Sequence, residues 1–401
     1  MSSTFSGLEK SGIDPIINLM IACGKDQHPK KIDLSVGVYK NEECDPNYVF
    51  PCVKAAKEAL LKNDPGHYYT QLEGIPEYLA CAQKTIFGKE CPNATSVQAI
   101  AGSGALHMAC TLLKSVGFQD FYIGAPTWSN YRGIIEHIGG SYLEYPYYNY
   151  KTRNVDMESI KQTIKNVKIK SVFVLQTACH NPTACDLSHE QWKEVFDLIL
   201  SKGHFLVFDN AYQGLSSGNV DEDAWPIREA YLRKMEFIAC QTYSKNLGLY
   251  SERVGCIHVC TWDLKEKENV ESKLIAICRN EVSFPPAFGS RVVALVATDP
   301  ELKKIWAKDV LNAAARLKDM RKKAVDWFTK LKTPGDWTHI MSLSGLFWFS
   351  GLSKLQTQKL IEEHHIYILS NGRINVAGLN NANVEYFCRC VDRVVRDYPV
   401  A

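Results

Sequence analysis

The stretch SVFVLQTACHNPTACDLSHEQWKEVFDLILSKGHFLVFDNAYQG, residues 171–214, decides the fold class. Residues 171–176 are almost continuously apolar and β-branched, the pattern of a strand covered on both faces. Residues 205–208 repeat that pattern. Between the two runs, Trp192, Val195, Phe196 and Ile199 recur at spacings of three and four, which predicts a helix with one apolar stripe. Strand, helix and strand in this order predict a parallel pair joined by a crossover. Similar short runs at 97–101, 121–124, 236–242 and 255–259 alternate with helical patterns such as Leu106, Ala109, Cys110 and Leu113. The expectation is an α/β domain with a mostly parallel sheet covered by helices. Beyond Pro300 the pattern changes to a charged, Ala- and Lys-rich helix over 301–331, then strand-like segments at 344–349 and 366–369, a second and smaller α+β domain. Residues 32–38 read as a strand, and the first forty or so residues are too short to fold alone, so they are expected to join the C-terminal part.

The 401 residues include 46 % apolar and 22 % charged side chains, a balance that supports a large core throughout. A net charge of +2 offers no electrostatic case for nucleic acid or an anionic membrane. No window reaches the length of a membrane-spanning helix, and the N-terminus lacks the marks of a leader, so a cytoplasmic location is expected. Fourteen cysteines are scattered singly through apolar runs, which fits buried reduced thiols and gives no metal cage.

Three strand ends deliver chemistry. Asp209 closes the run FLVFD, where a carboxylate leaving water must find a partner or shift its pKa. Asn181 follows 171–176 in HNPT, with Pro182 imposing an extended turn, and Lys245 follows 236–242 in QTYSKNLGLYSERVG. A loop lysine is ordinarily solvated, and only these neighbours argue otherwise. In AIAGSGALHMAC, Gly102, Ser103 and Gly104 lie between a strand and a helix, where backbone N–H groups and a hydroxyl can face a phosphate. A dinucleotide fingerprint fails, because its third glycine would fall at His107. A monophosphate cradle is the more economical reading.

Taken with VGVYK, PTWSNY, FDNAYQG, FPPAFG and GRINVAGL, these motifs resemble, over nearly the whole chain, the aspartate aminotransferases, class I aminotransferases of the fold-type I pyridoxal-phosphate enzymes. The resemblance implies reversible, ping-pong transfer of the amino group between L-aspartate and 2-oxoglutarate, giving oxaloacetate and L-glutamate on pyridoxal 5′-phosphate. It implies Lys245 as the Schiff-base lysine and proton carrier, Asp209 as the partner of the pyridinium nitrogen, and Asn181 and Tyr212 as hydrogen-bond partners of the ring oxygen. Trp128 would stack on the ring, while Gly102, Ser103, Thr242 and Arg253 would hold the phosphate, with Tyr69 reaching over from a partner subunit. Arg373 would clamp the α-carboxylate, Arg279 of the partner the distal one, and Gly37 and Val36 would line the pocket. Phe347 would stand near the α-carboxylate, although a core position reads equally well. It further implies a homodimer with shared active sites. The domains are expected at 1–12 (N-terminal arm), 13–45 and 313–401 (small domain) and 46–312 (large, cofactor-binding domain).

Departures from the family pattern are Tyr131, where a histidine commonly supports the stacking tryptophan, and Ala101 and Thr242, where serines commonly meet the phosphate. Ala184 replaces a glycine, Phe284 an asparagine, and Thr70 and Gln71 alter the segment after Tyr69. Phe284 lies near Arg279 in sequence, so an aromatic aminotransferase stands as the nearest rival. A lyase or synthase using the same lysine, or a relative that only binds the cofactor, are more distant alternatives.

Overall fold

The computed structural model describes residues 3–9, 12 and 14–400. Met1, Ser2, Lys10 and Ser11 of the expected N-terminal arm lie outside the described residues, as do Ile13 and Ala401. Seven strands form the main sheet: β1 (Ala94–Ile100), β2 (Asp120–Ala125), β3 (Ser141–Pro146), β4 (Val172–Gln176), β5 (Phe205–Asn210), β6 (Phe237–Thr242) and β7 (Val254–Cys260). Their spatial order is β1-β7-β6-β5-β4-β2-β3. β7 runs antiparallel to both neighbours, and every other pairing is parallel.

The apolar runs of the sequence become strands buried on both faces. Phe173, Leu175, Leu206 and Phe208 enter one core, whereas Val172, Val174 and Val207 enter the other. Each such side chain taken fully from water contributes about 1.5–3 kcal/mol. Helix Ala101–Ser115 and helix Leu264–Glu281 cover the second face, and helices Pro76–Phe87 and His189–Lys202 the first. The His189–Lys202 helix is fixed at both ends: Ser188 and Gln191 form a capping box, and Gly203 ends it in the left-handed region. The sheet is the mostly parallel, helix-covered sheet that the sequence predicts. β3 is the strand the sequence reading missed; at the sheet edge it is largely half-exposed, so it shows no continuous apolar run.

Helix Pro300–Leu331, 32 residues long, leads to the second unit. There Ile32–Asp33 pairs parallel with Ile366–Tyr367, and Phe347–Phe349 pairs antiparallel with Arg373–Asn375. Helices Lys354–His364 and Val384–Asp397 pack around them. The strand expected over 366–369 ends at Tyr367, and three other strand expectations shorten for local reasons. The strand expected over 32–38 stops at Asp33, whose carboxylate accepts hydrogen bonds from Ser35 N (3.0 Å) and Ser35 Oγ (2.6 Å) and turns the chain. The one expected over 344–349 begins at Phe347, after Gly345 at φ 72°. Ala101, expected at a strand end, instead opens a helix at φ 54°.

All fourteen cysteines are free thiols, buried except for half-buried Cys44. Among the described residues no helix is long and apolar enough to cross a membrane, and no group of three or more His, Cys, Asp or Glu side chains is placed to hold a metal ion.

Exposed Lys332 ends the long helix at φ 53°, a conformation that costs a residue with a Cβ about 1–2 kcal/mol. Lys332→Gly is therefore expected to raise stability by about 1 kcal/mol, read as a higher denaturant midpoint at unchanged slope. An unchanged or lower midpoint contradicts that expectation.

Candidate functional site

The parallel strands point their carboxyl ends at one edge of the sheet, where ligands bind in this architecture. Asp209 sits near the end of β5, opposite Gln176 of β4 and Cys240 of β6. Asn181 follows β4, Lys245 follows β6, Trp128 follows β2, and Gly102 and Ser103 follow β1. Because β7 is antiparallel, its beginning reaches the same edge, and Arg253 immediately precedes it. One cavity is lined by Gly102, Ser103, Trp128, Asn181, Asp209, Tyr212, Thr242, Lys245 and Arg253. A second, adjoining one shares Trp128 and Asn181 and adds Arg373.

The phosphate-cradle expectation meets a helix start with no side-chain cap, so the first-turn N–H groups after that of Ala101 are open to an anion. Ala101 N donates to Arg253 O (3.1 Å), and both residues hold left-handed φ values of 54°. Their approach demands a glycine across from them: a Cβ on Gly255 would lie 2.6 Å from the Ala101 carbonyl carbon. Arg253 spends one contact on Tyr250 O (2.9 Å) and otherwise faces the cavity. Thr242 differs from the simplest expectation, since its hydroxyl already donates to Val254 O (3.0 Å) and meets Ser244 Oγ (2.9 Å). Ser244 also lines the cavity and was missed by the sequence reading; its hydroxyl beside Lys245 at a strand end was the available signal.

Charge in this cavity is unbalanced toward positive. Burial pushes the Lys245 ammonium below its ordinary pKa, Asp209 opposes the shift, and Arg253 adds to it. Lys245 Nζ stands 5.3 Å from the centre of the Tyr212 ring. Burial pushes the Asp209 carboxyl up, against a hydrogen bond from Tyr131 and the attraction of Lys245. Burial likewise raises the Tyr212 phenol, and Arg373 moderates it. The open helix start, Lys245 and Arg253 thus suit an anion, and the Asp209 carboxylate suits a cationic partner.

Arg373 begins a strand of the second unit and is 3 % exposed. It donates to Asn181 Oδ1 (3.1 Å) and to the Ser35 carbonyl, and its guanidinium lies 4.5 Å above the Phe347 ring. Its buried Nε has no hydrogen-bond partner among the described residues. A buried guanidinium with an unsatisfied edge can donate to a carboxylate. The 35–38 segment is held against it, because Asn375 Nδ2 donates to Val36 O (2.6 Å) and Val38 O (2.7 Å). Gly37 is needed for this approach: a Cβ there would lie 2.8 Å from the Phe347 ring. Phe347 is a core residue, 1 % exposed, and its ring also meets the Arg373 and Tyr212 side chains.

Tyr69 and Arg279 are not brought to this cavity. Tyr69, 74 % exposed, stacks on Phe284 (4.8 Å), and Arg279, also exposed, lies 5.4 Å over the same ring and bonds the Ser283 hydroxyl. The large groove that Tyr69 and Phe284 line shares no residue with the first two cavities. Tyr131, a departure from the histidine common at this position, meets Trp128 edge-on (5.3 Å, 84°). Its hydroxyl also donates to Asp209 Oδ2 (2.5 Å), a bond across 78 residues of sequence that local pattern does not carry.

The family model for class I and II aminotransferases matches residues 29–391. The cytoplasmic aspartate aminotransferase of Saccharomyces cerevisiae is 37 % identical over 417 residues, covering 100 % of this chain and 99 % of the relative. The solved structure of aspartate aminotransferase from Saccharomyces cerevisiae cytoplasm superimposes with a TM-score of 0.95 at 36 % identity, covering 98 % of this chain and 99 % of that one. An aromatic-amino-acid aminotransferase of Burkholderia pseudomallei, solved covalently bound to pyridoxal phosphate, superimposes with a TM-score of 0.95 at 31 % identity, covering 98 % and 100 %.

A lysine whose folded pKa lies below its unfolded value destabilises the fold while it stays charged, and that cost disappears as pH rises toward the ordinary 10.5. In cofactor-free protein, the stability of wild type relative to Lys245→Met should therefore increase between about pH 7 and about pH 10. Parallel unfolding curves at the two pH values, with a constant difference, would contradict this.

Proposed function

This chain belongs to the class I and II aminotransferases, and from that premise we propose the following reading of its site, substrates and assembly. The enzyme is a pyridoxal-phosphate-dependent aspartate aminotransferase, transferring the amino group between L-aspartate and 2-oxoglutarate by a ping-pong mechanism and acting on small amino and keto acids. The observation that carries the site reading is the unbalanced cavity: an open helix start, Arg253 and Lys245 on one side, and the buried Asp209 carboxylate on the other.

These residues fit the cofactor. Gly102, Ser103 and Arg253 would take its phosphate, with Thr242 contributing from a hydroxyl already tied to the backbone. Asp209 would hold a proton on the ring nitrogen, Asn181 and Tyr212 would meet the ring oxygen, Trp128 would cover a ring face, and Lys245 would bond its aldehyde carbon. Bound there, the cofactor supplies a sink for the electron pair left when the amino acid loses its Cα proton. Lys245, its ammonium pushed below its ordinary pKa by burial, would take up and return that proton. Arg373 would fix the α-carboxylate through its unsatisfied edge, Phe347 and Gly37 letting the backbone close at that point. Charge-assisted hydrogen bonds of this kind contribute about 1.5–3 kcal/mol each.

We assign Arg279 to the distal carboxylate and Tyr69 to the phosphate of the partner subunit's site in a homodimer. Tyr69 lines a groove separate from its own chain's cavity, beside exposed Leu61, Tyr68 and Phe288, an apolar surface suited to a second copy, and Arg279 lies over the Phe284 ring that lines the same groove. Residues 1–12 would form an arm on the partner, and residues 13–45 with 313–401 a small domain against the large one of 46–312. The cytoplasm is the compartment supported by the yeast relative. A second reading, activity on aromatic amino acids, is favoured by one feature: Phe284 and Tyr69 make an aromatic surface beneath Arg279.

Excess L-aspartate without a keto acid should shift the absorbance of the holoenzyme and release one oxaloacetate per site; a bound cofactor indifferent to aspartate but responsive to tyrosine would replace this reading with the aromatic one. Shared sites make a further prediction. Arg279→Ala and Lys245→Met should each be nearly inactive on aspartate alone, yet co-expressed chains should regain activity, because one site of each mixed dimer carries both native residues. An active monomer by light scattering, or no recovery, would refute sharing.

A further inference from the structure

We propose that Tyr131 is a positioning residue for the reaction, holding Asp209 ionised and in register with the cofactor ring; this rests on the reading of the cavity given above. Tyr131 lies in the first turn of helix Asn130–His137, and its side chain is 3 % exposed. Among the described residues it is the one side chain that donates to the Asp209 carboxylate, through Oδ2 (2.5 Å). That leaves Oδ1 for a proton-bearing ring nitrogen. Asp209 has no other side chain to orient it: Lys245 attracts it, and Tyr212 and Cys240 lie near it, but none is hydrogen-bonded to its carboxylate.

The same tyrosine meets Trp128 edge-on, so one ring braces the aromatic cover and the acid beneath it. Its backbone N–H also donates to Trp128 O (3.4 Å), which keeps the two residues in one turn. A hydroxyl donating to a carboxylate favours the charged form, and the charged form is the one able to pair with a protonated ring. Removing the hydroxyl while keeping the ring should therefore weaken the pair and leave the packing in place.

The test uses holoenzyme of wild type, Tyr131→Phe and Tyr131→His, with two readouts besides turnover. These are the dissociation constant for pyridoxal 5′-phosphate and the pH midpoint of the bound cofactor's absorbance change, with thermal melting as a folding control. Tyr131→Phe should weaken cofactor binding about tenfold or more. It should also move the midpoint upward, because a less positive ring holds its neighbouring proton more tightly. Tyr131→His, which restores a donor, should recover part of both effects. Unchanged binding and midpoint in Tyr131→Phe overturn the inference, as does equal impairment of the Phe and His variants. Failure of wild type itself to bind the cofactor overturns the cofactor assignment and this inference together.

Discussion

A carboxylate taken out of water is the constraint on which the rest of this structure depends. Asp209, 6 % exposed at the end of a central strand, costs several kcal/mol unless something positive or hydrogen-bonding faces it. The fold answers with Tyr131 on one oxygen and Lys245 nearby, and leaves the other oxygen toward the cavity. Nothing in the core itself needs this acid. On the proposed reading its burial lets a cationic ring be held at a fixed point, and the same dry surroundings push the Lys245 ammonium below its ordinary pKa.

The sheet makes the gathering possible. Parallel strands put their carboxyl ends on one edge, so residues far apart in sequence emerge side by side: Ser103 after β1, Trp128 after β2, Asn181 after β4, Asp209 on β5 and Lys245 after β6. The single antiparallel strand, β7, then brings Arg253 to the same edge from the opposite chain direction. The second unit contributes a separate function. Arg373 and Asn375 hold the backbone of Ser35, Val36 and Val38, so the buried guanidinium and the segment beside it form one assembly.

Two left-handed backbone positions meet at the start of helix Ala101–Ser115. Ala101 and Arg253 both adopt left-handed φ values that cost a residue with a side chain about 1–2 kcal/mol each, and they hydrogen-bond each other there. Gly255, which leaves room for Ala101 to approach, shows that the neighbouring strand is fitted to this contact. The conformation turns the end of β1 directly into a helix start, which points uncapped N–H groups at the cavity.

By itself the sequence determined the fold class and most of the site's membership. Short apolar, β-branched runs fit strands covered on both faces, and strand ends are visible where those runs stop, so Asn181, Asp209 and Lys245 stood out without coordinates. Edge strand β3 was hidden because a half-exposed strand carries no such run, and the 32–38 strand was overread because Ser35 turns the chain through Asp33. Ser244 and the second contact of Tyr131 were not legible, and neither was the commitment of the Thr242 hydroxyl to the backbone. The physical reason is range. Periodicity and capping are set by neighbours a few residues away, whereas a hydrogen bond such as Tyr131 to Asp209 exists only once two strands and a helix have packed and removed the water that would otherwise have satisfied both groups.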